Sequence, residues 1–137
     1  NANSKEITKY FKNKDVADNI KIYTKQSDLV PFYKRAQLVL NLSRIDQWIE
    51  TFGLTILEAM AFGIPVIVPP VGGPTEIVRN EIDGFQISSY KTKEIAKKII
   101  ELSENHDLCH RISKNCIERS YNFSFNAFEK KIIEIIC

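Results

Sequence analysis

Apolar residues recur along this chain in two rhythms. Short, nearly continuous β-branched runs alternate with stretches spaced three and four apart, which predicts an α/β domain with a mainly parallel sheet. Ile7, Tyr10 and Phe11 fall on one side of a helix over residues 4–12, and Ile20 to Tyr23 reads as a short strand. Ser27 or Asp28 caps a helix over 27–35 that turns Leu29, Phe32 and Tyr33 inward. Leu38 to Leu42 is a nearly unbroken apolar run, the pattern of a strand covered on both faces. Residues 43–51 are polar, with one Trp and no strong period, and predict a loop. From Phe52 to Phe62 the pattern is helical, stopped by Gly63 and then Pro65. Pro65 to Val68 is a second buried strand, and Pro69 to Pro74 a Pro- and Gly-rich turn. Pro74 suits the first position of a short helix through Arg79. Asp83-Gly84 turns into a last strand, Phe85 to Ile87, and three helices follow over 92–104, 106–119 and 124–135. No repeat, linker or low-complexity tract interrupts this order.

Composition narrows the partners. The 137 residues fit one domain, 3–137, with Asn1-Ala2 set aside as the remnant of an expression tag. With 44% hydrophobic and 26% charged residues the chain reads as an ordinary soluble globular domain. A net charge of +2 argues against nucleic acid, because phosphate binding needs a concentrated basic face. The densest basic stretch, Lys91 to Lys98, is broken by Glu94 and reads as the solvated face of a helix. No run approaches the roughly 18 apolar residues of a membrane helix, and no signal-peptide pattern opens the chain. Cys109, Cys116 and Cys137 are too few and too close to the C-terminus to staple a fold. With His106 and His110 nearby a metal site is conceivable, but the tight C-x-x-C rhythm is missing, so these cysteines read as core or surface residues and the expected metal set is none. Free thiols suit a reducing cytoplasm.

The informative stretch runs from Glu50 through Glu58. A strand ends near Leu42 and a helix begins at about Phe52, so the intervening loop lies outside the carboxyl end of a parallel strand, where such sheets bind ligands. Gly53 lets a ligand approach the backbone, and the first-turn amides and helix dipole make a seat for a diphosphate. Glu50 stands just before that helix and Glu58 on its second turn. Two carboxylates beside a diphosphate are poor phosphate ligands, since like charges repel, but each accepts hydrogen bonds from neighbouring sugar hydroxyls. Spacing alone leaves a second reading equally open, with Glu50 a solvated loop residue and Glu58 facing water.

The segment resembles the E-x7-E motif of glycosyltransferase family 4 and its GT-B relatives, in the form E-x-F-G-x-x-x-x-E-A-M-A-x-G-x-P-V. Glu50, Phe52, Gly53, Glu58, Ala59, Met60, Ala61, Gly63, Pro65 and Val66 occupy its fixed positions. Gly72-Gly73, Glu76-Ile77-Val78 and Gly84 match the next landmarks, and Phe123-Ser124-Phe125 is similar to the family's F-S-W. The resemblance covers about residues 20–128. It implies that Glu58 receives the ribose hydroxyls of a sugar nucleotide and that Glu50 contacts the transferred hexose near the reacting carbon. It also implies that the amides of Phe52, Gly53 and Leu54 touch the sugar and distal phosphate and that Thr24 and Lys25 lie by the nucleobase. The place of Gly72 and Gly73 at the end of the strand next to the Glu50–Glu58 unit predicts backbone contact with the donor. Gly-Gly-Pro is common in any tight turn, so that loop alone is a weak signal.

Three departures stand out. Ser43 is followed by six residues before Glu50, a longer loop than the family's, holding Arg44, Asp46 and Trp48. Trp48 either stacks on a sugar or packs the loop down, the second reading being favoured. Pro74-Thr75 stands where Pro more often precedes the glutamate directly, and Tyr23 where many relatives have Gly.

The resemblance implies the donor-binding part of a retaining transferase that moves a hexose from a nucleotide diphosphate sugar to a hydroxyl. The fold it implies is a partial C-terminal Rossmann-like domain of GT-B architecture with three C-terminal helices. The substrate is the sugar nucleotide, with no cofactor. The acceptor is a glycan, a lipid-linked sugar or a small molecule, met through an N-terminal domain that this chain lacks. The setting is polysaccharide biosynthesis in the cytoplasm, with a membrane-peripheral place for the parent protein as the second expectation. The family's Arg and Lys beside the leaving diphosphate have no equivalent before Ile20, so the isolated chain is expected to be inactive. The alternatives are a GT-B epimerase, disfavoured by the motif, and a binding or scaffold module without turnover. With two strands expected to be missing from the sheet, the Leu38–Leu42 edge is expected to pair with Ile20–Tyr23 in a four-stranded sheet, or with a second copy in an edge-strand dimer.

Overall fold

A computed structural model describes residues 4–12, 14 and 17–136, which fall into two compact units divided after Phe32. In the first, α1 (Ser4–Phe11) carries Tyr10 and Phe11 edge to face, with the Lys14 ammonium 3.7 Å from the Tyr10 ring centre. The Ile7 side chain, read as facing inward, lies outside the described residues. Asp28 caps the next turn by accepting from the Val30 amide at 2.9 Å, as the sequence predicts. That turn, α2 (Val30–Tyr33), is only four residues long rather than the expected nine.

Residues 20–23 are a correction. They form no strand: Ile20, Ile22 and Tyr23 are all exposed, and no ladder partner is present among the described residues. A four-residue segment gains stability as a strand only by pairing and burying a face, and this one does neither.

The second unit contains the sheet. Its strands β1 (Val39–Leu40), β2 (Val66–Val68) and β3 (Phe85–Gln86) pair in parallel, in the order β1-β2-β3. Val39 lies opposite Val66 and Ile67 opposite Phe85, so β2 is the central strand and is fully buried. Val-Ile-Val is the composition a strand needs when both of its faces meet apolar layers. The sheet therefore has three strands, not the expected four, and β1 is paired on one side only among the described residues.

Helix α3 (Leu54–Ala61) follows β1 and packs on β2 and on α6 (His106–Tyr121). It stops as the sequence predicts: the Gly63 amide donates to Met60 O at 2.9 Å and the Ile64 amide to Ala59 O at 3.0 Å, the paired bonds of a Schellman end. The short helix α4 (Pro74–Ile77) begins at its proline, and α5 (Thr92–Glu104) and α7 (Phe125–Ile136) complete the order. Ile56, Met60, Ile67, Ile77 and Ile112 are among the largest fully buried side chains. Each such side chain contributes roughly 1.5–3 kcal/mol on leaving water.

One buried polar group ties the helical layer to the sheet. Asp83, fully buried, accepts from both the Arg79 amide and the Arg79 guanidinium at 2.6 Å. The Cys116 thiol donates to Asp83 O at 3.0 Å, and burial pushes that thiol up to about 12. Cys116 is thus a core residue, as its sequence setting predicts, while Cys109 is half-buried and Cys137 lies outside the described residues.

Candidate functional site

The loops that leave the carboxyl ends of β1, β2 and β3 bond to one another. Ser89, after β3, donates its hydroxyl to Ser43 O at 3.2 Å. Tyr90 donates to the Asp46 carboxylate and accepts from Arg44 Nε at 2.8 Å. From the turn after β2, the Gly73 amide donates to Glu50 O at 2.8 Å. The segment carrying Glu50 is therefore held from both neighbouring loops, at the end of the sheet where the strand order predicts ligand binding.

Gly72 and Gly73 earn their place through that contact. A Cβ on Gly73 would lie 2.1 Å from Thr51 O, and one on Gly72 would lie 2.5 Å from Glu50 O. The close approach these glycines allow is that of the 49–52 backbone, and the Gly73 amide is already bonded.

Glu50 leads into α3 through Gly53, whose φ of 90° is a conformation that side-chain-bearing residues adopt only with strain. No side chain caps the helix there. Among the described residues, the amides of Phe52, Gly53 and Leu54 make no hydrogen bond. Three unbonded donors at the positive end of a helix form an anion seat. The side chains of Phe52 and Leu54 themselves are exposed.

Glu58 is half-buried on the second turn of α3. Its Oε2 accepts from the Tyr33 hydroxyl at 2.8 Å, and that hydroxyl also reaches Thr55 O at 3.3 Å. The Tyr33 ring is buried and stacks on Phe62 with centroids 5.4 Å apart. Burial, and then the bond to the Glu58 carboxylate, push the Tyr33 phenol well above its ordinary range, so it remains a donor. Glu58 is thus not simply facing water. One oxygen is fixed by Tyr33, and Oε1 makes no hydrogen bond among the described residues. Sequence reasoning placed Tyr33 in the core but missed this role. The available signal was the hydroxyl itself, since a buried tyrosine needs a partner for it.

Of the remaining sequence-predicted residues, Thr24 and Lys25 are exposed in the first unit, where the Gln26 amide bonds Thr24 O at 3.0 Å. Among the described residues, no group of three or more His, Cys, Asp or Glu side chains is arranged to hold a metal ion.

Residues 1–119 match the family Glycosyl transferases group 1. The chain belongs to this family. A sucrose synthase of Melioribacter roseus is 35% identical over 91 residues, 63% of this chain and 12% of that protein. The chain spans little more than a tenth of that relative. Among solved structures, Anabaena HepE in complex with UDP-glucose superposes with a TM-score of 0.79 and 25% identity, over 96% of this chain and 36% of that one. The C-terminal domain of a group 1 glycosyl transferase, LpcC of Francisella tularensis, superposes with a TM-score of 0.63 and 25% identity, over 75% of this chain and 51% of that one. The α/β unit described above is therefore the C-terminal type of GT-B domain.

Proposed function

We propose that this domain holds a nucleoside diphosphate hexose, with uridine diphosphate glucose the first candidate, as the donor half of a retaining hexosyltransferase of family 4. One observation carries the reading. Among the described residues, three amides without a hydrogen bond lead into the helix whose second turn presents Glu58 Oε1 without a partner, and Glu50 stands two residues before the first of them. A diphosphate on the amides would direct the ribose diol to Glu58 and the hexose to Glu50, the two carboxylates accepting hydroxyl protons in hydrogen bonds. The HepE complex with UDP-glucose, on the same fold, supports uridine and glucose over other pairs.

In the transfer, the bond from the anomeric carbon to the distal phosphate oxygen breaks and a bond to the acceptor oxygen forms. The acceptor proton leaves with the departing phosphate. The amides at the start of α3 contribute by stabilising negative charge as it gathers on the diphosphate. Glu50 would hold the hexose so that the acceptor meets the anomeric carbon on the face from which the diphosphate departs, which retains the configuration. The acceptor hydroxyl comes from a glycan, a lipid-linked sugar or a small molecule, brought by a further domain of the whole protein. The thiols of Cys109 and Cys116, free among the described residues, accord with a cytoplasmic setting.

The test is Glu50→Ala in the intact protein. Turnover should fall by at least about a hundredfold, near 3 kcal/mol of lost transition-state interaction, while affinity for uridine diphosphate stays within a few-fold of the parent. An equal loss in both quantities would move Glu50 onto the nucleotide and overturn its assignment to the hexose.

A further inference from the structure

The loop between β1 and α3 is fixed at both ends, yet it turns its largest apolar side chain outward. Its backbone is closed by the amides of Gln47 and Trp48, which both donate to Arg44 O, at 2.9 and 2.8 Å. Arg44, Asp46 and Tyr90 lock its first half, and the Gly73 bond to Glu50 O locks its end. Trp48 is nonetheless 67% exposed, and Ile49 beside it 55%. The reading in which Trp48 packs the loop down is therefore wrong. The loop is held by hydrogen bonds, and the indole is free to meet something else.

We propose that Trp48 is the stacking platform for a pyranose ring of the saccharide acceptor. The proposal rests on the nucleotide-sugar reading of Glu50 and Glu58 and adds the substrate class on the acceptor side. Trp48 precedes Glu50 by two residues on a tethered segment, so it borders the place assigned to the reacting hexose. A pyranose has one flat face of C–H groups and an edge of hydroxyls. The indole supplies a flat apolar face. The same short loop also carries an exposed guanidinium, carboxylate and carboxamide, from Arg44, Asp46 and Gln47. Arg44 and Asp46 retain unused donors and lone pairs after their bonds to each other and to Tyr90. A protein or lipid partner would favour a broad unbroken apolar patch, whereas in this loop Trp48 and Ile49 follow Asp46 and Gln47 and precede Glu50. The ordered loop also means that little conformational entropy is lost when the ring docks.

Trp48 is the sole tryptophan of the chain, so its fluorescence reports on this one position. The 137-residue chain is titrated with methyl α-glucoside and maltotriose, with acyclic sorbitol as the control, in the presence and absence of uridine diphosphate. We expect a saturable blue shift of the emission and protection from acrylamide quenching with the two ring sugars and not with sorbitol. In saturation-transfer NMR, Trp48→Ala should lose the signal of the bound saccharide, and Trp48→Phe should keep part of it. Binding of uridine diphosphate glucose, followed separately by calorimetry, tests the donor reading and can fail alone. A shift produced by uridine diphosphate glucose but not by the saccharides would make Trp48 a donor contact and overturn the proposal. A shift produced only by phosphatidylglycerol vesicles would make it a membrane contact and overturn it equally. So would no shift at all.

Discussion

The Tyr33 hydroxyl donates to Glu58 Oε2 at 2.8 Å, across twenty-five residues of sequence, and Oε1 of the same carboxylate has no partner among the described residues. One side chain thereby fixes the rotamer of another without using up its capacity to accept. A second-turn carboxylate that is already oriented loses less side-chain freedom when a ribose diol arrives, which favours binding. Tyr33 acts through Glu58, as a positioning residue.

Tyr33→Phe removes that bond and leaves the ring stacked on Phe62. Hydrogen bonds to charged groups contribute about 1.5–3 kcal/mol, and a half-buried Glu58 regains some hydration, so a stability loss of about 1–2 kcal/mol is expected. Affinity for uridine diphosphate should fall several-fold in the same variant. Urea unfolding and calorimetry read the two effects. A loss of stability with unchanged affinity would make the contact purely structural.

Gly73→Ala tests the contact beneath Glu50. Its Cβ would sit 2.1 Å from a backbone oxygen that no rotamer change can move, so the 49–52 segment must shift. Overpacking of this kind costs about 1–3 kcal/mol, and the shift should carry Glu50 and the free amides away from a common ligand. Thermal unfolding should register the first effect and loss of nucleotide binding the second. Wild-type behaviour in both would mean that the loop is not held at Gly73.

Two groups set the response to alkali. Cys116 is raised by burial from its ordinary 9.0 to about 12, and Tyr33 is raised by burial and by Glu58 from its ordinary 10.0. In both, the folded state keeps the proton that the unfolded chain releases, so their contribution is complete below pH 9 and is lost as pH rises from 9 toward 12. Stability measured by urea unfolding should therefore decline over that window, and less steeply in Cys116→Ala. Thiol reagents at neutral pH should modify half-buried Cys109 well before Cys116. A Cys116 that reacts at the same rate as Cys109 in the folded protein would contradict its placement in the core.

Much of the second unit was legible because its signals are local. Gly63 and Pro65 mark the end of α3, Pro74 the start of α4, and Val-Ile-Val the central strand. The 43–51 loop was legible too, as a polar stretch without period. What could not be read depends on contacts distant in sequence. Ile20 to Tyr23 has the composition of a strand, but a strand needs a neighbour, and composition does not supply one. The Tyr33–Glu58 bond and the Arg44–Asp46–Tyr90 cluster join residues twenty-five and more than forty apart. Gly72-Gly73 reads as an approach to a ligand, and the same sequence serves equally for an approach by another stretch of backbone. Trp48 was ambiguous for a related reason, since only the folded loop reveals which way the indole turns.

Binding of uridine diphosphate glucose to the chain and to its Glu58→Gln variant tests the central claim most directly. Calorimetry should detect binding to the chain with Glu58 intact. In Glu58→Gln, affinity should fall by about 1.5–3 kcal/mol, the range for a hydrogen bond to a charged acceptor, with the unfolding transition little changed because the amide still accepts from Tyr33. Equal affinity of the two proteins for uridine diphosphate glucose would remove Glu58 from the ribose site and contradict the account.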